Sequence, residues 1–142
     1  GWLLLEAAEA LADEDMVIRV KQATLAVSQA VYNEGLWPDG SLVYEVDAAT
    51  SYVNKERHWW PAAEGMVGFY TAYRLSGKEY FLQAARRCWD FVLEHFSDRE
   101  YGDWRKVLDE NYQVKPGTYK MGPWECPYHH ARACLEIIKR LN

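Results

Sequence analysis

Cysteine is scarce here and forms no motif. Cys88, Cys126 and Cys134 make no CxxC pair and leave an odd residue over. That argues against a disulfide framework and fits a reducing, cytoplasmic setting. Positive charge is also lacking: 16 Lys and Arg are scattered among 21 Asp and Glu, for a net charge of -5. Such a surface has no general attraction for phosphate backbones or anionic lipid, so neither nucleic acid nor membrane is an expected partner. No apolar run approaches the roughly 20 residues that span a bilayer, and the N-terminus lacks a basic region and cleavage site. A glycine-rich phosphate loop and a GxSxG elbow are both missing.

Aromatic residues are abundant. Seven Trp, ten Tyr and four Phe make up 15% of the 142 residues, and many lie outside the apolar stripes. The 49% hydrophobic content suffices for one compact domain over 1–142.

Helical periodicity dominates. The opening "GWLLLEAAEALADED" carries Leu4, Ala7, Ala8 and Leu11 at helical spacing with no capping residue before them, as if the chain began inside a helix. Asp13 to Asp15 supply a turn and capping carboxylates for a second helix from about Met16 to Asn33. Pro38-Asp39-Gly40 reads as a turn and Leu42 to Val46 as a short strand. A third helix is expected from "WWPAAEG", with Pro61 at its first position, to Ser76-Gly77. A fourth, about Glu79 to Phe96, presents Phe81, Leu82, Ala85, Trp89 and Val92 on one side. After an aromatic connection, extended near Trp104 to Leu108, the last helix runs from Pro127 or Tyr128 to Leu141.

The helices overlay at a shift of 64 residues: Ala8 meets Ala72, Leu11 Leu75, Val17 Phe81, Ile18 Leu82, Leu25 Trp89, Tyr32 Phe96, and Trp60 Trp124. The unit is an antiparallel helical hairpin, tightly linked inside and joined to the next by a long aromatic connection. The fold class is all-α. In a closed ring, the long connections and the helix starts after them would share one face, where free N–H groups and irregular backbone can build a site. A helical solenoid is the alternative.

The segments "SYVNKERHWWPAAEG" and "KMGPWECPYHHA" would be equivalent parts of that rim. His129 and His130 sit in a helix start and suit proton transfer near neutral pH, but adjacent helical residues point about 100° apart, so only one can face a given cavity. Trp124, Tyr128 and the pair Trp59 and Trp60 offer flat faces with polar tips, which suit a ligand with C–H faces and hydroxyl edges such as a sugar. His130 and Cys134 at i, i+4 with Cys126 nearby could frame a metal, although no further ligand falls at a matching spacing, so no metal is expected. Carboxylate pairs for glycoside hydrolysis could be drawn from Glu56, Glu64, Asp103 and Glu125.

Three stretches, "GWLLLEAAEAL", "HWWPAAEGMVGFYTAYRLSGKEYFLQAA" and above all "GPWECPYHHARACLEIIKRL", resemble the C-terminal part of the N-acylglucosamine 2-epimerase superfamily, most closely its cellobiose or mannobiose 2-epimerase branch. The resemblance implies the C-terminal portion of an (α/α)6 barrel of about twelve helices, which six repeats of a 64-residue unit would approximate. It implies cofactor-independent epimerisation or isomerisation of a mono- or disaccharide through C2 proton removal and a cis-enediolate, with two histidines serving the two faces. His129 matches the histidine of the C-P-Y-H motif and Trp124 the tryptophan that stacks on the sugar. The Trp59-Trp60 pair matches the other aromatic wall, and Glu64, on a W-W-x-x-A-E pattern, is implied to orient a hydroxyl or a histidine. The family's second catalytic histidine, with its H-x-x-E partner, would precede Gly1. The arginine and further histidine of the N-terminal half are likewise absent, so 1–142 alone is expected to be inactive. His130 stands where asparagine is expected in many cellobiose enzymes, which leaves the choice between mono- and disaccharide open. An open part-barrel would also expose an apolar edge to self-association. A glycoside hydrolase on the same toroid and a non-catalytic sugar-binding or scaffold remnant are the competing readings.

Overall fold

A computed structural model describes residues 1–123 and 126–142. Trp124 and Glu125, both named above, lie outside the described residues. Five helices carry the fold: α1 (Trp2–Ala10), α2 (Glu14–Ala30), α3 (Trp59–Ser76), α4 (Glu79–Phe91) and α5 (Tyr128–Leu141). They form two helical hairpins, α1–α2 and α3–α4, with α5 packed against the central α3.

Local chemistry explains most boundaries. The Asp13 side chain accepts the Met16 N–H at 2.9 Å, and Glu14 and Asp15 face the positive end of the α2 dipole. Gly77, at φ +67°, takes the left-handed conformation that ends α3, and its N–H returns to the Tyr73 carbonyl. The helix begins at Trp59 rather than at Pro61. Proline is tolerated there because the first four N–H groups of a helix have no intrahelical partner.

Helices α2 and α4 stop short of their expected ends, at Ala30 and Phe91. Each passes into a wide π-helical turn, Val31–Gly35 after α2 and Val92–Phe96 after α4. The Ser97 N–H donates to the Val92 carbonyl, five residues back, at 2.8 Å. The chain then reverses through equivalent bridges, Leu36 with Leu42 and Ser97 with Trp104.

These matching turns show where a single shift of 64 fails. The offset is 65 from Glu14 to Glu79, where α2 and α4 begin, and 61 from Val31 to Val92, because α2 has 17 residues and α4 has 13. Four residues are about one turn, so the extra length leaves the buried face nearly unrotated. Tyr32 and Phe96 therefore occupy different positions in their turns.

On α1 the buried face is Trp2, Leu5 and Ala8, whereas Leu4 and Leu11 are exposed. On α4, Phe81, Ala84, Ala85, Cys88 and Phe91 are buried, and Trp89 stands at the surface. Burial pushes the Cys88 thiol up to about 12, so it behaves as a small apolar group. Two apolar clusters result. The larger joins Trp2, Met66, Phe69, Phe81 and Cys88, and the smaller gathers Trp59, Phe91, Phe96 and Leu108 beneath the connections.

The connections are tied to each other. Strand β1 (Val46–Asp47) pairs antiparallel with β2 (Tyr52–Val53), and β3 (Arg57–His58) with β4 (Val107–Leu108). Beside them Asp39 accepts from the Ser41 N–H and hydroxyl and from the Tyr112 hydroxyl, and pairs with buried Arg57 at 3.4 Å. Burial opposes its ionisation, but these donors prevail and hold the carboxyl below its ordinary range. Next to it Gly40, at φ +92°, lies so close to α4 that a Cβ would stand 2.4 Å from the Arg87 carbonyl oxygen. The rim is thus a cross-linked layer above the helix ends.

Candidate active site

One carboxylate joins three helices. Glu64, in the second turn of α3, accepts the Trp2 indole N–H of α1 on Oε2 at 2.9 Å. Its Oε1 faces His129 Nδ1 of α5 at 2.9 Å and accepts from Arg132 Nη2 at 2.5 Å. Burial disfavours the charged form, yet the bonds from His129, Trp2 and Arg132, with the Arg132 charge, together hold its carboxyl below the usual range. Glu64 is therefore an ionised acceptor at neutral pH.

An ionised carboxylate only accepts, so the hydrogen in the His129–Glu64 bond resides on Nδ1. In the neutral ring, Nε2 then carries the lone pair. The imidazole lies beside Trp60, with ring centroids 5.9 Å apart, and meets Tyr128 edge-on at 5.1 Å. Arg132, one turn beyond His129, is held between two rings: its Cζ lies 4.9 Å from the Trp2 centroid and 4.1 Å from that of Tyr128. It also donates from Nη1 to the Tyr128 hydroxyl. Packing between rings fixes a guanidinium whose fork must meet a carboxylate.

The structure separates the tryptophan pair. Trp59 is only 9% exposed and packs on Phe91, Val92, Phe96 and Leu108. Trp60 is 38% exposed and stands at the site beside His129. A crevice of about 300 Å³ opens among Trp2, Leu42, Trp60 and Glu64. Among the residues named from the sequence, His129, Trp60, Glu64 and Tyr128 thus come together, while Trp59 underlies them in the core. Trp124 lies outside the described residues.

Four contributors were not singled out from the sequence. Trp2 was read only as the start of a helix. Arg132 lies within the quoted "GPWECPYHHARACLEIIKRL" stretch, and its i+3 spacing from His129 is the available signal. Tyr44 extends the aromatic surface, edge-on to Trp60 at 6.4 Å and stacked on His58 at 3.6 Å. Burial holds the His58 imidazole below its ordinary range, partly offset by Glu56 at 3.4 Å.

His130 points another way. Its Nε2 lies 2.7 Å from Asp103 Oδ1, and its ring stacks on Trp104. Among the described residues no cluster of three His, Cys, Asp or Glu side chains is disposed to hold a metal ion.

The N-acylglucosamine 2-epimerase (GlcNAc 2-epimerase) family model matches residues 1–133. This chain belongs to that family. The cellobiose 2-epimerase of Bacteroides fragilis is 34% identical over 138 residues, covering 97% of this chain and 35% of that protein. That of Ruminococcus albus is 38% identical over 142 residues, covering 98% and 35%. A solved sugar epimerase from a ruminal bacterium superposes with a TM-score of 0.92 at 35% identity, covering 98% of this chain and 35% of the other. The chain thus spans about a third of the length of these relatives. The helical hairpins are part of an epimerase-type (α/α)6 barrel, which sets aside the solenoid. No helix among the described residues is long and apolar enough to cross a membrane.

Proposed function

We propose that this chain supplies one proton-transfer base, and part of the aromatic wall, of a sugar 2-epimerase or isomerase acting on a mono- or disaccharide. The observation that carries the reading is Glu64, which takes donors from Trp2, His129 and Arg132 while His129 lies beside Trp60.

In the open-chain aldose, Nε2 of His129 takes the C2 proton from one face. The C–H electron pair forms the C1–C2 double bond, and the carbonyl π electrons move onto O1, giving the cis-enediolate. Return of a proton to the other face of C2, with the C1 carbonyl re-forming, inverts that carbon; delivery to C1 instead, with the O2 hydroxyl proton passing to O1 and the carbonyl forming at C2, gives the ketose. As His129 gains the proton, Glu64 faces the developing imidazolium at 2.9 Å and stabilises it. Trp60 receives the apolar face of the sugar, with Tyr128 beside His129. The stacking role that the family resemblance gives Trp124 belongs to a residue outside those described.

One imidazole reaches one face of a planar intermediate, so the second base belongs to the rest of the toroid. The chain by itself is expected to give no C2 exchange, and its exposed Leu135, Ile138 and Leu141 favour self-association. Three of the carboxylates considered for glycoside hydrolysis are engaged otherwise: Glu64 in the three-helix junction, Asp103 with His130 and Glu56 with Lys115. Glu125 lies outside the described residues.

The test follows deuterium entry at C2 from heavy water in a complete enzyme carrying these residues. Cellobiose, mannobiose, mannose and N-acetylmannosamine are offered in turn. His129→Ala is expected to abolish exchange on whichever sugar is used. Undiminished exchange contradicts the assignment of His129, and release of monosaccharide from a disaccharide would favour hydrolysis.

A further inference from the structure

His130 follows His129 directly and has its own carboxylate, from a different part of the molecule. Asp103 lies in the turn of the second long connection, where Gly102 and Asp103 adopt φ of +73° and +63°. The carboxylate also accepts the Trp104 N–H at 2.7 Å. Trp104 is packed against both apolar clusters and stacks on the His130 ring with centroids 5.2 Å apart. Lys120 fastens the same turn, donating to Asp98 and, at 2.9 Å, to the Gly102 carbonyl. His130 therefore meets a turn anchored in the core.

The first turn of α5 is consequently held by carboxylates from two directions, Glu64 of α3 on His129 and Asp103 of the connection on His130. Two restraints about 100° apart around a helix oppose its rotation, whereas one alone can be followed by swinging the helix about it. The distances set the stake. A rotation of about 20° displaces a side-chain atom roughly 5–6 Å from the axis by about 2 Å. A misplacement of about 1 Å costs a proton-transfer geometry on the order of 10²-fold in rate.

We propose that His130 and Asp103 form a rotational lock on α5 that aims His129, making them positioning residues for the reaction proposed above. The proposal rests on that reading for its catalytic consequence, but the lock itself is observable without sugar.

The test uses a complete enzyme carrying these residues, isotopically labelled at Trp and His, and the cross-peaks between the Trp60 indole and the His129 imidazole in its NMR spectrum. Asp103→Gly removes the carboxylate and suits the positive φ; Asp103→Asn tolerates that φ and retains an acceptor oxygen. The expected result is loss of the Trp60–His129 cross-peaks in Asp103→Gly and their retention in Asp103→Asn, with the core methyl spectrum dispersed in both. His130→Phe keeps an aromatic ring for Trp104, removes Nε2 and leaves the turn untouched, and it should lose the same cross-peaks. If they persist in folded Asp103→Gly or in His130→Phe, the lock is overturned. A complete enzyme whose His129→Ala variant still exchanged the C2 proton would overturn the functional reading and leave the lock standing.

Discussion

His129 and His130 are neighbours in sequence, share one helical turn, and each meets a carboxylate within 3 Å. Their surroundings make them different groups. His129 is bound to a residue of α3 and lies beside a half-exposed indole, so one ring nitrogen is fixed while the ring remains at the rim. His130 is held by a connecting turn and covered by Trp104, with Nδ1 buried and unpartnered among the described residues. A helix turns the two rings apart, and the roles proposed above assign one to chemistry and the other to placement.

The largest effect should separate them in catalysis. General acid–base groups contribute about 10²–10⁴-fold, so His129→Ala should lower exchange at C2 by that order or more. His130→Asn should retain measurable turnover.

Glu64→Gln strikes the His129 side of the comparison. It leaves Trp2 and Arg132 facing an amide, and a loss of about 1–3 kcal/mol in urea unfolding is expected. The sign with pH follows from the lowered carboxyl of Glu64. A carboxyl lowered in the folded state stabilises fully above its unfolded pKa and loses that contribution as pH falls through the folded value. The difference between the parent chain and Glu64→Gln should thus be complete at neutral pH and shrink in acid, below the ordinary carboxylate range of about 4.

Trp2→Phe is a finer cut, since the ring remains for Arg132 and only the indole donor to Glu64 is lost. About 1 kcal/mol of stability should go with it, read from the same urea transitions. His58→Phe should change stability least, within about 0.5 kcal/mol, because an aromatic ring still stacks on Tyr44 and only the long 3.4 Å contact to Glu56 is given up.

Much of this architecture was legible in the residues. Asp13 and Gly77 mark helix ends by local chemistry, and the hairpin repeat follows from apolar spacing. Less legible was whatever depends on partners distant in sequence. The π-helical turns carry no distinctive local pattern, and α2 gains its extra turn without disturbing its face. On and just after α1, Leu4 and Leu11 are as apolar as Trp2, and the core cluster with Glu64, Arg132 and Arg140 selects the tryptophan face. The choice between Trp59 and Trp60 likewise required α4 and β4 to be in place beneath Trp59. For the pair of histidines, helical geometry foretold their divergence, but only the fold supplied the two carboxylates.

The most direct measurement is C2 deuterium incorporation, on one sugar, by a complete enzyme carrying these residues, compared with its His129→Ala and His130→Asn variants. Exchange should be abolished in the first and reduced but measurable in the second; equal losses, or exchange that survives without His129, would contradict the roles proposed for the two histidines.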